Sequence, residues 1–186
     1  MRTVMAALAM MILPVATVAQ VTDADGWKGP KWGMTEEQVK AAITCPLERN
    51  TYFFKAGTPR YQLKTVEPFK LLDVPVRAIF SFSTDDKLAS VMIKVESGFL
   101  ERTHSPSELF ERFKQSLTEE YGKLTFTDTD DKGRIVFWRL PSTAVRLQWT
   151  GGSFMGVTYE QADKKSTERE VEGSPVLALR GGPNSW

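Results

Sequence analysis

Cysteine and histidine are almost missing from this sequence: Cys45 and His104 are the only ones in 186 residues. A single cysteine excludes an intrachain disulfide. Two such residues fall short of the roughly three or four nitrogen and sulfur ligands of an all-protein zinc site. An excess of charge is missing too. Lys and Arg number 24 against 23 Asp and Glu, so the chain has no net field with which to gather nucleic acid. There is no Gly-rich phosphate loop and no Gly-x-Ser-x-Gly elbow, the local signatures of phosphate cradling and of serine hydrolases. The apolar run Val4 to Leu13 is too short to cross a bilayer, which takes about 20 residues, and no other segment is apolar enough.

What is present supports a packed core. Hydrophobic residues make up 41% and aromatic residues 11%, which excludes wholesale disorder. The length suits one compact domain or two small fused units. Residues 1–19 read as an export signal: Arg2 is a single-charge leader, Val4 to Leu13 the apolar stretch, Pro14 a helix breaker, and Thr17 and Ala19 the small residues of a cleavage site after Ala19. No cysteine follows the run closely enough for a lipoprotein anchor. Cys45 trails the apolar helix face Val39, Ala42 and Ile43 and is expected to be buried and inert.

Two helix starts stand out. In Met34-Thr35-Glu36-Glu37-Gln38-Val39, Thr35 and Gln38 form a capping box, and Met34 and Val39 a hydrophobic staple. That helix is expected over 35–44, since Cys45 precedes Pro46. In Ser105-Pro106-Ser107-Glu108, Ser105 is the cap, Pro106 occupies the first turn and Glu108 closes a second box. Leu109, Phe110, Phe113, Leu117 and Tyr121 then recur at helical spacing up to Gly122, so the stripe is expected to lie on Val145, Leu147 and Trp149 or their neighbours.

Elsewhere the period falls to two. Val74–Phe82 and Leu88–Glu96 alternate cleanly, joined across Ser83 to Lys87. Tyr61/Leu63, Leu124/Phe126, Val136/Trp138/Leu140, Val145/Leu147/Trp149 and Met155/Val157/Tyr159 mark further strands with short, antiparallel connections. Asp-Asp-Lys at 85–87 and 130–132, and Val-Arg at 76–77 and 145–146, echo each other. The expected fold is therefore α+β, in two layers: two helix-on-antiparallel-sheet units, a tandem duplication, over 20–100 and 101–163. Residues 164–186 read as an irregular tail.

Gly33-Met34-Thr35-Glu36-Glu37-Gln38-Val39, followed by Ile43 and Pro46, resembles the opening of small bacterial envelope proteins of the SmpA/OmlA type. The tandem arrangement is similar to the β-lactamase-inhibitor-protein fold. Thr44 stands where the SmpA/OmlA pattern has Gly, and the lipid-bearing cysteine is absent. The resemblance implies a non-catalytic, protein-binding scaffold in the periplasm of a Gram-negative bacterium, with the extracellular space as the second location. It carries over no functional residue.

His104 is the one side chain that titrates near neutrality without help, but it sits beside a helix cap rather than in a triad. Nothing flanks Cys45 that would activate it. Asp128-x-Asp130-x-Lys132-Gly133 fails as a calcium loop, because Lys132 and Arg139 fall on ligand positions. No catalytic residue, metal site or cofactor is expected.

Charge clusters instead. Residues 49–77 hold Arg49, Lys55, Arg60, Lys64, Lys70 and Arg77 against Glu67 and Asp73, while 119–131 is acidic. Either these are ordinary solvated surfaces or they orient a partner. Trp27 and Trp32, flanking Gly29-Pro30, either close the core edge or anchor an interface.

The expected site is thus a binding surface of Trp27, Trp32, Arg60, Lys64 and Arg77, and the expected partner another envelope protein, not nucleic acid. Two alternatives stand beside it: an envelope hydrolase using His104 and carboxylates, and a small-ligand carrier with an apolar cavity of about 300 Å³ or more.

Overall fold

The structure, a computed structural model, describes residues 23–53, 59–103, 105–130, 133–151 and 154–162. The expected export signal, His104 and the tail from 164 onward lie outside the described residues.

The first helix, α1, spans Glu36–Ala42. The capping box is formed: the Thr35 hydroxyl accepts from the Gln38 amide at 3.4 Å, and the Gln38 side chain accepts from the Thr35 amide at 2.9 Å. The helix stops short of the expected 44 because Ile43 is already extended (φ −110°, ψ 128°). Cys45 has then left the helix face and is exposed, contrary to the expectation of burial.

Nine strands follow among the described residues: β1 (Leu47–Phe53), β2 (Pro59–Thr65), β3 (Phe69–Leu71), β4 (Val74–Phe82), β5 (Leu88–Val95), β6 (Phe126–Asp130), β7 (Gly133–Arg139), β8 (Thr143–Thr150) and β9 (Phe154–Gln161). Between β5 and β6 come a single turn, α2 (Ser97–Leu100), and α3 (Pro106–Tyr121). Pro106 opens α3 as expected, but the Ser105 hydroxyl makes no cap bond. Its backbone (φ −141°, ψ 71°) departs from the extended geometry of Thr35, so the oxygen does not reach the first-turn amides. Gly122 ends α3 at φ 79°, a conformation that favours glycine.

The expected fold class is corrected here. All nine strands form one continuous antiparallel sheet, in the order β1-β2-β4-β5-β9-β8-β7-β6 with β3 beside β4. The protein is closer to all-β than to two helix-on-sheet units. The reason lies at β5 and β9, which pair from Ser90↔Glu160 to Lys94↔Gly156. Each would otherwise be an edge strand of Val, Ile, Met and Tyr, a template for unwanted pairing. Joining the two edges removes both.

One sheet face is covered. β4 is alternately buried along its length, and Val76, Ala78 and Phe80 continue across the register into Val95, Ile93 and Val91 of β5, then Val157 and Tyr159 of β9. Val39 of α1 and Leu109, Phe110, Phe113, Leu117 and Tyr121 of α3 join this core. The Phe110 ring lies 6.5 Å from that of Trp149, so α3 packs over β8 as its stripe requires. Among the described residues no helix is long and apolar enough to cross a membrane.

Candidate functional site

Four of the five residues expected to form a binding surface divide between the two sides of the sheet. Trp27 and Trp32 belong to the covered side. The Trp27 ring is 5.9 Å from Phe69 and 6.1 Å from Phe80, and the Trp32 indole donates to the Thr143 hydroxyl at 2.7 Å. Both close the core edge.

Lys64 and Arg77 lie on the opposite, open face. Lys64 pairs with Glu48 at 2.9 Å. Arg77 pairs with Glu96 at 2.5 Å and donates to the Thr65 and Val66 carbonyls. Arg60 falls in β2 opposite Tyr52, and its side chain is outside the described residues.

Three of the six cations of segment 49–77 are thus paired in place: Arg49 too pairs with Glu36, at 3.8 Å, tying β1 to α1, and stacks on Tyr61.

The open face carries no helix among the described residues. One line of register partners crosses it: Glu48, Lys64, Ile79 and Met92, then Thr158, Arg146, Phe137 and Phe126. Charge stands at one end and aromatic rings at the other. Phe126 and Phe137 meet at 5.8 Å, and Phe126 is 41% exposed. Ile79, Met92, Ile135 and Phe154 are half-buried on the same side. Arg146 sits between these zones, 3.6 Å from Glu160, with its Nε buried and without an acceptor among the described residues. Of this line only Lys64 stands among the residues expected from sequence, since an outward apolar position in an alternating strand looks the same whether solvent or a partner covers it.

A second feature lies on the covered side. The segment 23–34 runs over the sheet as a strap. Asp23 accepts from the Ser142 amide and hydroxyl, Ala24 accepts from the Thr143 hydroxyl, and the backbone at Gly33 and Met34 bonds to Leu88. Its turn demands glycine at 26: φ is +127°, and a Cβ there would stand 2.0 Å from the Pro30 oxygen.

Between strap, α3 and β9 is a cleft of about 450 Å³. Its floor is Val157 and Tyr159, its walls include Trp27, Leu72, Phe113 and Tyr121, and Glu120 stands at its rim. Burial pushes the Tyr159 phenol up to about 12, against hydrogen bonds from Tyr121 and the Trp27 indole that favour the phenolate. Burial raises Tyr121 as well, and the neighbouring Tyr159 phenol and Glu120 carboxylate add to the shift. Both phenols are neutral donors at physiological pH. The cleft contains no histidine or cysteine, and no group of three or more potential metal ligands occurs among the described residues.

No family model, curated protein or solved structure matches this chain. The likeness to the SmpA/OmlA opening rests mainly on residues 33–46, with a looser match through the strands ending near Val95.

Proposed function

We propose that the protein is an exported, non-catalytic binding scaffold whose open sheet face docks another envelope protein. The observation that carries this reading is the face itself, uncovered among the described residues. Its apolar side chains, Ile79, Met92, Phe137 and Phe126, are held half-exposed between laterally paired charges. An apolar patch rimmed by charge and left open to solvent marks an interaction surface.

The pairing of Lys64 with Glu48 and of Arg77 with Glu96 fixes the rim before any partner arrives, which lowers the ordering cost of association. Export rests on the pattern of residues 1–19, and the periplasm on the resemblance of residues 33–46. The hydrolase reading depends on His104, outside the described residues, and no geometry speaks for it.

The test is a photo-reactive amino acid placed in living cells at Met92 or Phe137, and at Lys114 on the outer side of α3. Both sheet positions should crosslink to the same protein, Lys114 should not, and Phe137→Glu should abolish the Met92 product. Crosslinks from Lys114 alone, or none from the sheet, would overturn the proposal.

A further inference from the structure

We infer that the cleft between the strap, α3 and β9 is a binding site for a small organic cation, an ammonium group carried on a compact apolar body. Its volume of about 450 Å³ falls within the range of small-molecule sites, roughly 300–1,000 Å³. The bulk of the lining is aromatic and aliphatic, which suits the body of such a ligand. Trp27, Tyr121, Tyr159 and Phe113 supply rings from three separate elements, the arrangement by which aromatic cages hold ammonium groups through their negative faces.

The charge at the rim has the matching sign. The Glu120 carboxylate lies close enough to oppose ionisation of both Tyr121 and Tyr159. An entering cation would meet that same negative field, with two neutral phenols and no competing anion on the floor. Three carboxylates, Asp23, Asp25 and Glu120, line the cleft against two lysines. Lys31 pairs with Asp25 at 3.6 Å, and the Lys28 ammonium sits 5.6 Å from the Trp27 ring centroid. The chain's own Lys28 thus shows that this indole accepts an ammonium.

An anionic ligand would face those three carboxylates with only two lysines to set against them. A purely apolar one would leave Glu120 and the phenols unused. This inference is independent of the sheet-face proposal, since the two sites lie on opposite sides of the sheet.

The experiment titrates the protein with choline and with its neutral carbon isostere, neohexyl alcohol, followed by tryptophan fluorescence and saturation-transfer NMR. Choline should bind at least about fivefold more tightly, the factor that corresponds to one cation–π contact. Glu120→Gln, an exposed substitution that leaves the core intact, should remove most of that preference, and Trp27→Leu should weaken choline further. Equal affinity for the two probes, no binding of either, or a preference unchanged in Glu120→Gln would overturn the inference. Crosslinking from the sheet face should proceed unaltered in Glu120→Gln, so failure here is distinguishable from failure of the sheet-face proposal.

Discussion

The Trp32 indole donates to the Thr143 hydroxyl at 2.7 Å, joining positions 111 residues apart, and that hydroxyl in turn donates to the Ala24 carbonyl. One buried oxygen, fully enclosed, therefore latches both ends of the strap to the first residue of β8. Thr143→Val keeps the shape and removes both bonds. It leaves an indole N–H and a carbonyl unpaired, so the expected cost is about 1–3 kcal/mol in urea unfolding. Thr143→Ser should restore most of it. A loss below about 0.5 kcal/mol for the valine variant would show that the latch is not a stabilising contact.

Stability should also fall at high pH. Tyr159 ionises at an ordinary 10.0 when unfolded and at about 12 in the fold. A raised phenol pKa gives stability that is whole below pH 10 and lost as the pH climbs to about 12, since only the unfolded chain releases the proton in that window. Two units correspond to a loss on the order of 3 kcal/mol. Tyr159→Phe should flatten this part of the profile, with Tyr121 supplying the remainder. Identical slopes for the variant and the parent above pH 10 would contradict the buried-phenol account.

Phe113 is 3% exposed on the inward side of α3 and also walls the cleft. Phe113→Ala should cost about 3–5 kcal/mol by chemical denaturation, the usual loss for an emptied phenylalanine site. A cost under about 1 kcal/mol would mean that α3 is peripheral to the core.

Cys45 is exposed in the turn after α1. The native protein should react fully with a maleimide without denaturant, and air oxidation should yield a reducible dimer that Cys45→Ser abolishes. A thiol protected until unfolding would restore the buried reading.

Local signals were the legible ones. Alternation marked β4 and β5 almost to the residue, and the Thr35/Gln38 box marked the start of α1, because these patterns depend on neighbours in sequence. β1 escaped because an edge strand such as Leu-Glu-Arg-Asn-Thr-Tyr-Phe needs little apolar content, and β3 because three residues carry no period. The joining of β5 to β9 was not legible either. Two good edges look the same in sequence whether each stays open or they meet. The cleft was hidden for a related reason: Trp27, Leu72, Tyr121 and Tyr159 come from four distant places. The one available hint was that two inward positions of otherwise apolar rows, at 121 and 159, carry hydroxyls.

The place of β9 has a consequence in time. It is the last strand in sequence among the described residues, yet it lies at the centre of the sheet, against β5 on one side and β8 on the other. Its pairing with β5 spans roughly sixty to seventy residues, so much of the loop entropy must be spent before these contacts form. A nascent chain that ends before 154 holds β5 and β8 with one edge each unpaired. Such an intermediate is prone to aggregate and is a natural client for a holding chaperone. Folding is thus gated by chain completion, and stop codons or proteolytic cuts ahead of β9 should abolish the structure as a whole rather than trim it.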